Sequence, residues 1–234
     1  MKEKHPLEGI DRRTALSRVG GVALASVALS CGGRSRPEVS LIDAKTRPVT
    51  TMPAVYVPHG GGPWPFVEMN FGSPGTMAAL RTYFESLAIV PPSQPRALLL
   101  VSAHWETDVP TVQTAVKPPM LYDYSGFPEA AYKLQWPAPG APEIAGEVRA
   151  LLESAGIASA ADAKRGFDHG TFVVTKVAWP GAGVPTFQLS LKRGLDPAEH
   201  LAIGQAIAPL RKKGVFIIGS GMSYHNMRGF GAIM

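Results

Sequence analysis

The chain has 234 residues, enough for one sizeable domain. With 45% hydrophobic and 18% charged residues it is neither disordered nor membrane-embedded. Its formal charge of +5 is concentrated at the start: residues 1–30 carry five Lys/Arg against three Asp/Glu, residues 31–50 carry four against two, and from Thr51 onward 14 face 13. The folded part is nearly neutral, which excludes nucleic acid as a partner.

Residues 1–30 read as a signal peptide. "MKEKHPLEGIDRRTALSR" is a charged region with twin arginines at Arg12 and Arg13, followed by the Gly/Ala-rich apolar stretch "VGGVALASVALS". That stretch is shorter than the ~18 residues a bilayer span needs and fits a signal peptide of the Tat type. Ala15 stands where such leaders usually carry Phe. Cys31, the only cysteine, follows "ALS" and marks a candidate lipoprotein cleavage and anchoring site. The expectation is an exported chain, periplasmic or membrane-anchored through Cys31. A lone cysteine excludes an internal disulfide framework and a cysteine-rich zinc site. Residues 31–50 read as a solvated linker, and residues 51–234 as one folded domain.

Within that domain, strand-like apolar runs occur at 53–58, 96–103, 111–116, 185–191 and 214–219. Several lack a period of two, as strands covered on both faces do. Helical patterns occupy 76–88, with Leu80, Phe84 and Leu87 on one face, 142–155, which opens on Pro142 and acids, and 197–212, which ends in basic residues before Gly214. Strands alternating with helices predict an α/β fold, a layered α/β/α single domain around a mixed, largely parallel sheet.

The strand ends carry the chemistry. "AVYVPHGGGP" ends on His59, "RALLLVSAHW" on His104, and "GVFIIGSGMSYHN" runs into His225. Ligands of open α/β sheets bind outside the carboxyl ends of the strands, where Gly60–Gly62 and Gly219 and Gly221 let the backbone turn closely. Histidines there need a partner, and three converging ones suggest a metal or acid/base site. A fourth, His169, lies in "GFDHGTF" before an apolar helix or strand. Its neighbour Asp168 either holds an imidazole in one tautomer or caps the following helix. His200, within an amphipathic helix, reads as solvated.

"PPMLYDYSGFPEAAYKLQWPAPGAP" has neither helix nor strand period. Loops of this length are usually functional. Tyr122, Tyr124, Phe127, Tyr132 and Trp136 either wall a pocket for a planar substrate or pack on one another over the sheet edge.

Taken in order, "MPAVYVPHGGGP", "ALLLVSAHWE", "DYSGFPEAAYKLQWPAPGAP", "GFDHGTF", "VPTFQLSL" and "GVFIIGSGMSYHNM" resemble the extradiol ring-opening dioxygenases of the LigB superfamily, of the DOPA-dioxygenase type. The resemblance covers residues 52 to about 228. It implies a non-haem iron(II) enzyme, with zinc also found in bacterial members, that opens a catechol-type, DOPA-like aromatic diol with O₂. By motif, His59 and His104 are implied as metal ligands and His225 as catalytic acid/base. His169 is implied beside substrate or oxygen, and of the aromatic loop Tyr124, Phe127 and Tyr132 are the candidate substrate-binding residues. Trp105 is expected over the metal face.

The resemblance also implies a third ligand from a segment beyond the "GSG…H" motif, and no Asp, Glu or His follows His225. The expectation is therefore an incomplete C-terminus and a chain that holds metal weakly and turns over little, with His169 a candidate substitute ligand that this reading disfavours. Two rivals accompany it: a zinc-dependent hydrolase on the same fold, in which the metal lowers the pKa of bound water, and an inactive metal-binding remnant.

Overall fold

The computed structural model describes residues 50–67, 75–223 and 225. The expected signal peptide, with Arg12 and Arg13, Cys31 and the linker up to residue 49 lie outside the described residues. Among the described residues, no helix is long and apolar enough to cross a membrane.

The chain runs β1 (Ala54–Pro58), α1 (Thr76–Ser86), β2 (Ala97–Thr107), β3 (Thr111–Gln113), α2 (Pro142–Ser154), β4 (Ala160–Asp162), α3 (His169–Ala178), β5 (Thr186–Lys192), α4 (Pro197–Ile207) and β6 (Val215–Gly221). The strands form one sheet in the order β1-β6-β2-β5-β3-β4. Every pairing is parallel except β3 with β5, which are antiparallel. The expected α/β architecture with a mixed, largely parallel sheet is what the chain forms.

"ALLLV" shows why this sequence builds a central strand. Leu98, Leu99 and Leu100 are all fully buried, because successive side chains of a strand point to opposite faces and both faces are covered. Leu98 and Leu100 join Phe84 of α1 and Phe172 and Val173 of α3 on one side. Leu99 joins Ile144 and Val148 of α2 and Ile203 and Ile207 of α4 on the other. Each such leucine contributes roughly 1.5–3 kcal/mol of burial.

The helices begin where their caps are. Pro142 opens α2 with Glu143 in its first turn, and the Asp196 carboxylate accepts from the Glu199 N–H at the start of α4. The pattern expected to be helical over 197–212 is α-helical to Ile207 and then tightens into a 3-10 turn over Ala208–Lys213, closed by Gly214 at φ 83°. α3 is buried nearly all round, so its sequence shows no amphipathic period. Its cap decides: the Asp168 carboxylate accepts from the Thr171 N–H at 3.0 Å. The strand expected over 111–116 stops at Gln113, and β4, three partly exposed residues paired to it, carried no apolar signal.

One irregularity positions the site. β2 advances five residues between Val101 and Glu106, while its partner β5 advances two, from Leu189 to Leu191. Pairing with β6 ends at Ser102 and Ser220. The surplus forms a bulge over Ser102–Trp105, and bulges of this kind re-aim side chains beside active sites. His104 thus stands where the strand leaves its ladder, between the pairing at Val101 and its resumption at Glu106.

Candidate metal centre

Three of the predicted histidines meet. His59 follows β1 directly, and its N–H donates to the Gly221 carbonyl at 3.2 Å. His104 hangs from the β2 bulge, and His169 is the first residue of α3. His59 is 3% exposed and His169 5%. The ring centroids of His104 and His169 are 3.9 Å apart, those of His59 and His104 4.9 Å, and those of His59 and His169 5.2 Å. One nitrogen from each ring lies within 4.8 Å of the others. Gly170 permits this approach: a Cβ there would lie 3.2 Å from both His59 Cε1 and His104 Cδ2.

Hydrogen bonds around the cluster determine which nitrogens face inward. The Ser220 hydroxyl donates to the Gly170 carbonyl, so toward His59 Nδ1, 2.9 Å away, it acts as acceptor. His59 therefore carries its proton on Nδ1 and its lone pair on Nε2. The Asp123 carboxylate accepts from His169 Nδ1 at 2.8 Å and from the His169 backbone N–H at 2.9 Å, leaving Nε2 as the free nitrogen of that ring. Its other oxygen is 3.6 Å from His104 Nδ1. Metal-binding histidines characteristically spend the second ring N–H on a carboxylate, carbonyl or other fixed acceptor.

Electrostatics keep two rings in the ligating form. Burial, then the neighbouring His169 and His104, pushes the His59 pKa from 6.5 down to about 3. His104 is lowered by the same causes, burial first and then His169. Burial alone would raise the Asp123 carboxyl, but the hydrogen bond and charge of His169 outweigh it and hold it below the usual range. His59 and His104 are thus neutral donors at pH 7, beside an ionised carboxylate.

The donors fit a metal ion. His59 Nε2 and His104 Nε2 face each other at 2.9 Å. Two nitrogens each ~2.1 Å from one ion and about 90° apart would be ~3.0 Å from each other. Two inward lone pairs at such a separation repel unless a proton or a cation lies between them. An all-imidazole set suits iron(II) or zinc(II).

His225 is exposed, yet near enough that its charge disfavours protonation of His59 and His104. Tyr124 faces His169 at 6.0 Å between centroids, and Phe127 and Tyr132 pack on Tyr124 at 5.5 and 5.4 Å. Their loop also satisfies itself: the Tyr122 and Tyr124 hydroxyls donate to the Leu134 and Ala131 carbonyls, both at 2.6 Å. Burial first, then its tyrosine neighbours, raise the Tyr124 phenol further above neutral pH, so it stays protonated. Gly62, at φ +52°, makes room for the Phe127 ring, which a Cβ would approach to 2.7 Å.

Other residues take definite partners, and for Asp168 the second of its two readings holds. Trp105 lies under the Arg165 guanidinium at 5.0 Å. Asp168 is the helix cap, bonded also by Ser102 and Arg165 at 2.8 Å each. His200 accepts from the Lys192 N–H at 3.1 Å rather than facing only solvent. The acid that orients imidazoles is Asp123, which sequence reasoning missed. Its signal was an isolated carboxylate between two tyrosines in "LYDYSGF". Ser220 was likewise passed over inside "GSG".

Comparison with known proteins bears on this geometry. Residues 76–233 match the family described as the catalytic LigB subunit of aromatic ring-opening dioxygenase. Dioxygenase tasH of Hapsidospora irregularis is 38% identical over 75% of this chain and 55% of its own length. The 4,5-DOPA dioxygenase extradiol of Beta vulgaris is 44% identical over 58% of this chain and 51% of its own, and that of Escherichia coli is 34% identical over 76% and 62%. The crystal structure of an uncharacterized protein from Escherichia coli K12 superposes with a TM-score of 0.58 at 31% identity, covering 76% of this chain and 62% of that one. The chain spans about half the length of the first two of these relatives. With its motifs in family order and its histidines gathered at one sheet edge, the chain belongs to the LigB family of aromatic ring-opening dioxygenases.

Proposed function

We propose that this chain carries the site of an extradiol dioxygenase that opens the ring of a catechol-type, DOPA-like aromatic with O₂, using iron(II). The observation that supports it most is the hydrogen bonding at the cluster, which leaves the Nε2 atoms of His59 and His169 unspent and turns His104 Nε2 toward His59. His59, His104 and His169 are the proposed holders of the ion, His169 being the third donor the described chain itself offers. A redox-active ion there would supply the electron chemistry through which O₂ becomes reactive toward a closed-shell ring.

The chain's own groups do the rest. His225, at the exposed rim, takes a proton from a catechol hydroxyl and returns it as the ring opens, as an imidazole can near neutral pH. Tyr124, Phe127 and Tyr132 offer ring faces against which a planar diol stacks. Burial of His59 and His169 keeps bulk water from the inner side. Export, with a lipid anchor at Cys31, is supported by the twin arginines and the apolar stretch after them. Cell fractionation of the wild type and Cys31→Ala tests it, since the variant should leave the membrane fraction.

The test of the activity is oxygen uptake by the chain, loaded anaerobically with iron(II) and offered DOPA and simple catechols. One O₂ consumed per ring opened, abolished by His104→Ala, is the expected result. Hydrolytic turnover with zinc and without O₂ would overturn it, as would ring opening that persists in His104→Ala.

A further inference from the structure

Asp123 is the one carboxylate among the described residues that reaches two of the clustered histidines. Its Oδ1 receives both N–H groups of His169, ring and backbone, while Oδ2 faces His104 Nδ1 at 3.6 Å. Its side chain is 19% exposed, and its place in space is fixed from both sides. Upstream, Met120 forms a parallel bridge to Phe167, and the Leu121 N–H donates to the Phe167 carbonyl at 2.8 Å. On either side of it in sequence, Tyr122 and Tyr124 are tied by their hydroxyls to the loop's later half.

We propose that Asp123 is a positioning residue, which holds His169 in its inward tautomer and joins the aromatic loop to the histidine cluster. It carries no donor atom to the cluster itself. The chemical requirement is specific. His169 must keep its hydrogen on Nδ1 for Nε2 to stay a lone pair, and an acceptor facing Nδ1 enforces that. An ionised carboxylate has two acceptor oxygens and no hydrogen to donate. An amide of the same shape has one of each. Asp123→Asn can therefore still accept from His169 through its carbonyl oxygen, whereas Asp123→Ala leaves both N–H groups of His169 without that acceptor.

The inference rests on the reading of the cluster as a metal centre, so its test separates the two. Long-range ¹H–¹⁵N correlation of the metal-free wild type should show His169 protonated on Nδ1. The Nε2–H tautomer at His169 would overturn the proposal without any variant. In Asp123→Asn, which still accepts, His169 should keep its tautomer; in Asp123→Ala it should lose it. Zinc(II) affinity of Asp123→Ala, measured by chelator competition, should fall about 10- to 100-fold, the range found when outer partners of ligating histidines are removed. An unchanged tautomer in that variant with zinc affinity within about twofold of wild type would refute positioning. If the wild type binds no zinc at all while His169 still loses its tautomer in Asp123→Ala, the positioning stands and the metal reading falls.

Discussion

Replacing Gly170 by alanine sets two effects of opposite sign against each other, and the geometry decides between them. Gly170 is the second residue of α3, and alanine is preferred over glycine within a helix by up to ~1 kcal/mol. Against this, a Cβ at Gly170 would lie 2.5 Å from Ser102 Oγ and 3.2 Å from both His59 Cε1 and His104 Cδ2. The serine cannot simply rotate away. It is fully buried, donates to the Asp168 carboxylate at 2.8 Å and accepts from the His104 N–H at 3.2 Å. Overfilling a packed interior costs roughly 1–3 kcal/mol, and losing a bond to a charged partner adds roughly 1.5 kcal/mol or more. Gly170→Ala should therefore destabilise the metal-free chain by about 1–3 kcal/mol in urea unfolding. It should also weaken zinc(II) binding, because the two rings it pushes apart are both candidate ligands. Gly170→Ala with Ser102→Ala should recover part of both losses. A single variant more stable than wild type, with unchanged zinc affinity, would show that the approach of α3 to the cluster is looser than the structure has it.

Other consequences are equally direct. Folded His59 stays neutral to about pH 3, whereas the unfolded residue takes a proton near 6.5. Between those values the unfolded chain binds more protons, so stability falls as pH falls through that window. Its contribution between pH 7 and pH 4 is on the order of 3 kcal/mol, read as a drop in the unfolding free energy of the metal-free chain. His59→Asn should flatten that profile, and a variant profile as steep as wild type would contradict it. Arg165→Ala should cost about 3 kcal/mol, because it leaves the buried Asp168 carboxylate without its cation and uncovers Trp105. A loss below ~0.5 kcal/mol in the same urea assay would mean that Ser102 and the Thr171 N–H satisfy that carboxylate alone.

Much of this architecture is legible in the residues, and the exceptions have physical causes. "ALLLV" and "VFII" announce buried strands because a strand covered on both faces must be apolar at every position. His59 and His104 could be located because each ends such a run. The convergence of His169 was harder to see, since α3 is apolar all round and only the cap at Asp168 shows that a helix starts there. Asp123 left almost no trace. Its partner His169 is 46 residues away, and nothing local distinguishes a carboxylate that orients imidazoles from one in a solvated turn. β4 was invisible because three residues, two of them alanine, bury little. The bulge that aims His104 belongs to the pairing of β2 with β5, and pairing is a property of two strands that neither sequence carries alone.

The most direct test of the central claim, that His59, His104 and His169 form one metal centre, is anaerobic calorimetric titration of the metal-free chain with iron(II), beside His59→Ala and His169→Ala. The account predicts one ion per chain in the wild type and a large loss of affinity in both variants. Binding that survives in His169→Ala at wild-type strength would remove that residue from the centre, and wild-type binding in both variants would contradict the centre altogether.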